Sequence, residues 1–187
     1  ASGKSALKSF SKLEWIGSPK HLQGAALFAG FYVNELLVRL APLEEASSQL
    51  FAAYVSLLED LQQLSAEDPG RYWLMQALRQ FEQVLLAELG YAIRFDVDVL
   101  GMPIQPTQYY RYDLGEGFSP SGSGELGAQL LALSQSVNEL SPDSVAILTR
   151  VYRRVISALL GDRPLKSREL WIASQARSVA PTGQTRE

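Results

Sequence analysis

The chain has 187 residues, 47% of them hydrophobic and 20% charged, with no cysteine. That length suits one domain, or a domain and a remnant, with a core large enough to need no covalent staple, and the missing cysteines exclude disulfides, zinc ribbons and thiol catalysis together. The net charge of −3 divides into +3 for residues 1–20, −11 for residues 21–149 and +5 for residues 150–187. Basic ends around an acidic middle suit an anionic partner, although the ends can equally solvate themselves or pair with the middle.

No apolar run reaches the roughly 18 residues of a membrane span; the longest, Leu27 to Ala41, contains Asn34, Glu35 and Arg39. The N-terminal stretch has no apolar signal region. The chain begins at Ala1 rather than Met, so a preceding segment is expected.

Residues 6–16 alternate, with Leu7, Leu13 and Trp15 on one side and Lys8, Lys12 and Glu14 on the other. This pattern predicts a half-buried strand, while lysines four apart also permit a helix. A lone strand is not stable, so the segment reads as the last strand of a sheet domain. Gly17-Ser18-Pro19 is a break, with Ser18 as cap and Pro19 in the first helical position. A helix over about 19–41 is apolar nearly all round and is expected to be central and buried. Gly24, Ala25, Ala29 and Gly30 permit a close neighbour, and Asn34 and Glu35 need partners or a wet edge. Pro42 ends it.

A second helix runs from Ser47 or Ser48 to about Leu64, with Leu50, Phe51, Tyr54, Leu57, Leu58 and Leu61 as its core face. A third covers about 71–89, with a stripe of Leu78, Phe81, Leu85 and Leu89 and a stop at Gly90. Short links between these helices favour antiparallel neighbours. At Tyr91 the period changes from 3.6 to 2: Ile93, Phe95 and Val97 alternate with Arg94, Asp96 and Asp98, predicting a strand. With the strand formers Gln108 to Tyr112 and three Gly- and Pro-rich turns, residues 91–124 read as a β insertion of two or three short strands. Helices resume over about 125–136 and from Ser141-Pro142-Asp143 to Leu160, with Arg150, Arg153 and Arg154 along the outer side of the latter. A last short helix starts at about Pro164, and residues 178–187 read as frayed.

Candidate chemistry is sparse. Gly122-Ser123-Gly124-Glu125-Leu126-Gly127 matches a dinucleotide fingerprint, but a turn feeds it and no parallel sheet follows, so a flexible turn before a helix explains it better. Asp96 and Asp98 share a strand face without a third ligand and read as solvent-facing acids. His21 reads as a surface histidine. No nucleophile elbow, phosphate loop or zinc-protease motif is present, which favours a binding module over an enzyme. Arg79 is a lone cation beside an apolar face; it either pairs with Glu82 at i+3 or receives an acidic peptide whose apolar side chain enters a groove.

Several blocks in order resemble the RecO family of bacterial recombination mediators. They are Phe31-Tyr32-Val33-Asn34-Glu35-Leu36-Leu37, Leu50-Phe51, Leu78-Arg79-Gln80-Phe81-Glu82 with Leu89-Gly90-Tyr91, and Leu165-Lys166-Ser167-Arg168-Glu169-Leu170. The resemblance covers about residues 5–172. It implies an N-terminal OB-fold, a helical domain, and a small insertion that holds zinc through four cysteines in many members. Here the cysteines are absent and Asp98 stands near the first cysteine position, so the insertion is expected to lack zinc. The expected architecture is therefore mainly α: a helical bundle over 18–187 with a small β insertion, preceded over 1–17 by the last strand of a truncated OB-fold.

The resemblance further implies a non-enzymatic mediator of DNA repair and homologous recombination, without cofactor, in the bacterial cytoplasm near the nucleoid. It implies binding to RecR, to single- and double-stranded DNA and to the acidic C-terminal tail of single-stranded-DNA-binding protein (SSB), with strand annealing and loading of RecA. Arg79 matches the position implicated in holding the SSB tail, beside a groove using Leu58, and Gln83 stands where a related member has an apolar residue. Lys4, Lys8, Lys12, Arg150, Arg154, Lys166 and Arg168 are the candidate DNA contacts, by neutralising phosphates. The alternative is a helical scaffold or regulatory subunit with no nucleic-acid role.

Overall fold

A computed structural model describes residue 12 and residues 21–42, 46–63, 71–135 and 140–179. The expected strand over 6–16, and with it Lys4, Lys8 and the OB-fold remnant, lies outside these residues apart from Lys12, which is exposed. Among the described residues six helices surround one core and a three-stranded antiparallel sheet caps one side.

Helix α1 spans Gly24–Leu40. It begins later than Pro19 because Gly24 sits at φ 51°, a left-handed conformation that stops a right-handed helix from extending upstream. Only one stripe of it is buried, namely Ala26, Ala29, Gly30, Val33 and Leu36. Leu27, Phe31 and Val38 face outward, so α1 lies at the edge of the bundle and not at its centre. The small residues of the stripe do admit close packing: a Cβ on Gly30 would meet the Leu22 side chain at 3.0 Å.

Helix α2 spans Ser48–Gln63, and its first turn is capped by Ser47, whose Oγ accepts from Leu50 N–H at 3.0 Å. Leu50, Leu57 and Leu61 are buried, whereas Phe51, expected in the core face, is 68% exposed. Helix α3 spans Arg71–Glu88 and packs on α2 and on α5. Its stripe is buried at Leu74, Ala77, Phe81, Leu85 and Leu86, with Leu78 and Leu89 partly covered. Gly90, at φ 81°, closes the helix as expected: its N–H reaches Ala87 O at 3.0 Å and Tyr91 N–H reaches Leu86 O at 2.7 Å. These two bonds satisfy carbonyls that a helix end otherwise leaves unpaired.

Residues 91–96 form no strand, contrary to the alternating pattern; only Val97 bridges, to Pro103. The alternation has a different origin. Phe95 is buried against Phe118, with ring centroids 5.5 Å apart, while its neighbours have no ladder to join. Asp98 closes a turn by accepting from Leu100 N–H and Met102 N–H, both at 2.9 Å. Asp96 pairs with Arg94 at 2.8 Å. These two acids are therefore engaged locally. Among the described residues no three His, Asp or Glu side chains converge as a metal site would require.

The sheet is β1 Tyr109–Asp113, β2 Gly117–Ser121 and β3 Glu125–Leu126, in the order β2-β1-β3. In the β1–β2 hairpin Arg111 faces Ser119 and Tyr112 faces Phe118, while Tyr110 faces Glu125 across β1–β3. Its inner side is aromatic: Tyr110 and Phe118 are buried, and the Tyr112 and Phe118 rings meet edge to face at 5.3 Å. Two of the three glycines of the fingerprint match, Gly124 and Gly127, are fixed by packing, while Gly122 has open space around it. A Cβ on Gly124 would lie 2.2 Å from Tyr110 O, and one on Gly127 would lie 2.0 Å from Gln105 O. They let backbones touch where the sheet feeds the next helix.

That helix, α4, spans Gly127–Gln135, and α5 spans Pro142–Leu160. Ser141 Oγ accepts from Ser144 N–H at 3.1 Å, with proline at the first position, as the sequence predicts. Helix α6 spans Lys166–Val179, longer than the short helix expected, and lies on α1. The Phe28 and Trp171 rings, 5.2 Å apart, join the two. The turn between α5 and α6 is gripped by α1. Arg39 donates to Leu160 O, Arg163 O and Pro164 O at 3.3, 2.8 and 3.0 Å. Glu35 accepts from Lys166 N–H, Ser167 N–H and Ser167 Oγ at 2.9, 2.9 and 2.7 Å. A cation thus meets the carbonyl end of α5 and an anion the amide end of α6, both favoured by the helix dipoles.

Candidate functional site

The residues singled out in the sequence fall into three places. The first is the core face of α3. Arg79 is 7% exposed, and its Nη2 lies 2.6 Å from Oε1 of the fully buried Glu82. The same oxygen accepts from the Tyr32 hydroxyl at 2.6 Å. The i+3 pairing left open in the sequence is therefore made. Two buried atoms of this cluster have no partner, Arg79 Nε and Glu82 Oε2.

Burial dominates the electrostatics. Loss of solvent raises the Glu82 carboxyl above its ordinary range, and the Arg79 charge and the Tyr32 hydrogen bond only partly offset it. Tyr32 is raised well above the usual tyrosine value, by burial first and then by the Glu82 charge. The charges of Arg79 and Arg168 act on it in the opposite sense. Tyr152 of α5 is also raised, again by burial and then by Glu82. One buried carboxylate thus links α1 and α3 through Tyr32, and its charge is felt at Tyr152 of α5.

Leu58 on α2 is half-buried against the core and Gln83 on α3 is exposed, one turn from Arg79. An apolar groove of about 260 Å³ does lie on the bundle, but at the α1–α2 junction. Its walls include Leu37, Pro42, Leu50 and Phe51, with Ser47 hydrogen-bonded to Glu88 at its rim. Arg79, Leu58 and Gln83 do not line it.

The second place is the seam between β1, β3 and α5. Arg150 grips Glu125 with two bonds, Nε to Oε1 at 2.8 Å and Nη2 to Oε2 at 2.6 Å. Arg154, one turn on, donates from Nη1 to Tyr112 O at 2.7 Å. Arg111 of β1 stands nearby, its side chain 68% exposed and 3.5 Å from Asp113. Together Arg111, Tyr112, Glu125, Arg150 and Arg154 border a hollow of about 180 Å³ floored in part by Val151. Arg111 and Glu125 escaped the sequence reading as functional residues. Arg111 was hidden in a run of strand formers and Glu125 in a glycine match, and only the β1–β3 pairing brings them to Arg150.

The third place is the start of α6, where Lys166 and Arg168 are exposed. The α1 grip on the α5–α6 turn positions them, but they do not line the hollow. His21 is exposed, as expected. No helix among the described residues is long and apolar enough to cross a membrane.

Comparison with known proteins adds the following. The family model "Recombination protein O C terminal" matches residues 21–169. DNA repair protein RecO of Nitrosospira multiformis is 41% identical over 175 residues, which cover 90% of this chain and 69% of that protein. The proteins of the same name from Stutzerimonas stutzeri and Marinobacter nauticus are 39% and 37% identical, over 91% and 94% of this chain and 70% and 72% of their own lengths.

Proposed function

The chain belongs to the recombination protein O family of DNA repair proteins, and we propose that it serves repair and recombination as a non-enzymatic mediator that binds DNA, RecR and the acidic tail of SSB. Through these contacts it promotes strand annealing and the loading of RecA in the cytoplasm, near the nucleoid. The observation that carries the DNA part is the set of exposed cations on α5, Arg150, Arg153 and Arg154, together with Lys166 and Arg168 at the start of α6. Such groups neutralise phosphates without reading bases and give affinity that falls with salt. Lys4, Lys8 and Lys12 extend this basic set. In this reading residues 1–17 are a remnant of an N-terminal OB-fold and residues 18–187 form the helical domain with its β insertion.

The tail-binding part rests on Arg79, Leu58 and Gln83. Arg79 Nε is buried without a partner, so an entering peptide carboxylate gains a donor that the fold leaves unused, in competition with Glu82. Gln83, exposed one turn along α3, and Leu58, half-buried on the neighbouring α2, are the proposed flanking contacts. Replacing the pair together, Arg79→Met with Glu82→Leu, removes the cation while leaving no unpaired buried charge. Titrating this variant with a fluorescent acidic tail peptide tests the assignment. Lost binding with an unchanged melting curve supports Arg79 as the anchor, and unchanged binding refutes it. The rival scaffold reading draws on the internal partners of Arg150 and Arg154. It predicts no DNA affinity at low salt.

A further inference from the structure

We infer that the hollow between β1 and α5 is the seat of a single backbone phosphate, held by Arg111 and Arg154 and tuned by Glu125. This deepens the DNA-binding reading and rests on it. The chemistry follows from what each arginine has left to donate. Arg150 spends Nε and Nη2 on Glu125, which fixes its guanidinium as a positive wall. Arg154 spends Nη1 on Tyr112 O, keeping its other nitrogens for a ligand. Arg111 has only the long 3.5 Å contact to Asp113 and stands largely in solvent. A guanidinium in that state forks readily onto a phosphate.

Size and shape limit what enters. About 180 Å³ has room for one phosphate group, and the hollow opens to solvent, so the sugars and bases on either side of that phosphate stay outside it. The strand therefore runs across the rim. The cations come from two ordered elements, the central strand of the sheet and a 19-residue helix, so their backbones need no ordering and the cost of binding lies in the side-chain freedom of Arg111. Glu125, whose side chain is 17% exposed, contributes the opposing charge. It keeps the empty seat from being excessively cationic and weakens every anion that arrives. Glu125 is thus a positioning residue with a measurable sign.

The test is fluorescence anisotropy of a labelled single-stranded oligonucleotide against salt, using the full chain. Arg111→Ala and Arg154→Ala are each expected to weaken binding by about three- to tenfold and to lower the log–log salt slope by about 0.7, the value for one contact on a single strand. Arg94→Ala, equally exposed but outside the hollow, should leave both unchanged. Glu125→Gln should tighten binding by about threefold, the worth of one charge at roughly 7 Å in water. A merely structural Glu125 would give no tightening. If Arg111→Ala and Arg154→Ala behave like Arg94→Ala while the wild type keeps a steep slope, the seat is refuted and the DNA reading stands. A flat wild-type slope refutes both. A second arm adds inorganic phosphate at fixed ionic strength. Strong binding of free phosphate that depends on Arg111, with oligonucleotide affinity independent of it, would refute the assignment to a nucleic-acid backbone.

Discussion

Two ion pairs in this protein have the same closest approach and opposite consequences. Arg79–Glu82 and Arg150–Glu125 each close to 2.6 Å, but the side chains are 8% and 1% exposed in the first and 57% and 17% in the second. In the interior both charges have lost their water, so each is indispensable to the other, and Glu82 also ties α3 to α1 through the Tyr32 hydroxyl. At the surface water and salt already screen the attraction, and the pair adds little to stability. What the exposed pair retains is exchangeability. Distance alone does not say what an ion pair does; the medium around it decides.

The largest effect expected from breaking this contrast is at Arg79. Arg79→Ala strands a buried carboxylate and should cost about 3–5 kcal/mol, read from urea midpoints. The pairwise replacement Arg79→Met with Glu82→Leu should recover most of that loss. A cost of Arg79→Ala no larger than that of a surface pair would erase the distinction. Gly124→Ala should come next, at about 1–3 kcal/mol. It combines a strained backbone with a Cβ only 2.2 Å from Tyr110 O. Melting curves will show it, and a neutral result would mean that the sheet edge relaxes freely.

A smaller effect sharpens the comparison through pH. Burial raises the Glu82 carboxyl, so its stabilising contribution is complete below the ordinary glutamate value and is lost as pH climbs through the raised one. Glu35 moves the other way. Burial pushes it up, but the hydrogen bonds from Ser167, Lys166 and Arg39 outweigh this and lower it. Its contribution is complete above the ordinary glutamate value and disappears as pH falls through the lowered one. Glu35→Gln should therefore cost about 1–2 kcal/mol near neutrality and much less in acid. Glu82→Gln should flatten the dependence on the other side. Hydrogen exchange will locate the Glu35 effect in α6, whose first amides it holds. The smallest change is expected for Glu125→Ala, under about 1 kcal/mol. A large loss there would place that pair with the buried one.

The fold was legible wherever a local device sets it. Ser47, Gly90 and Ser141-Pro142 each mark a helix end that the structure places within a residue or two. Legibility failed where tertiary context overrides a pattern. The positive φ of Gly24 delays α1, and the alternation over Ile93, Phe95 and Val97 reflects one buried ring in a loop. The site was harder for a simple reason. Tyr32 meets Glu82 across 50 residues and Arg39 reaches the α5–α6 turn across more than 120, and neither link has a spacing signature. Arg79 could be recognised as special from the sequence, but only burial shows that its first partner is Glu82.

On the proposed reading, the exposed arginines beside the sheet meet phosphate while the buried pair holds the fold. The most direct measurement is the salt slope of single-strand binding for two variants compared with the wild type. Arg111→Ala with Arg154→Ala should lower the slope, and Arg79→Met with Glu82→Leu should leave it unchanged. The reverse result, a slope that changes with the buried pair and not with the hollow, would contradict that reading.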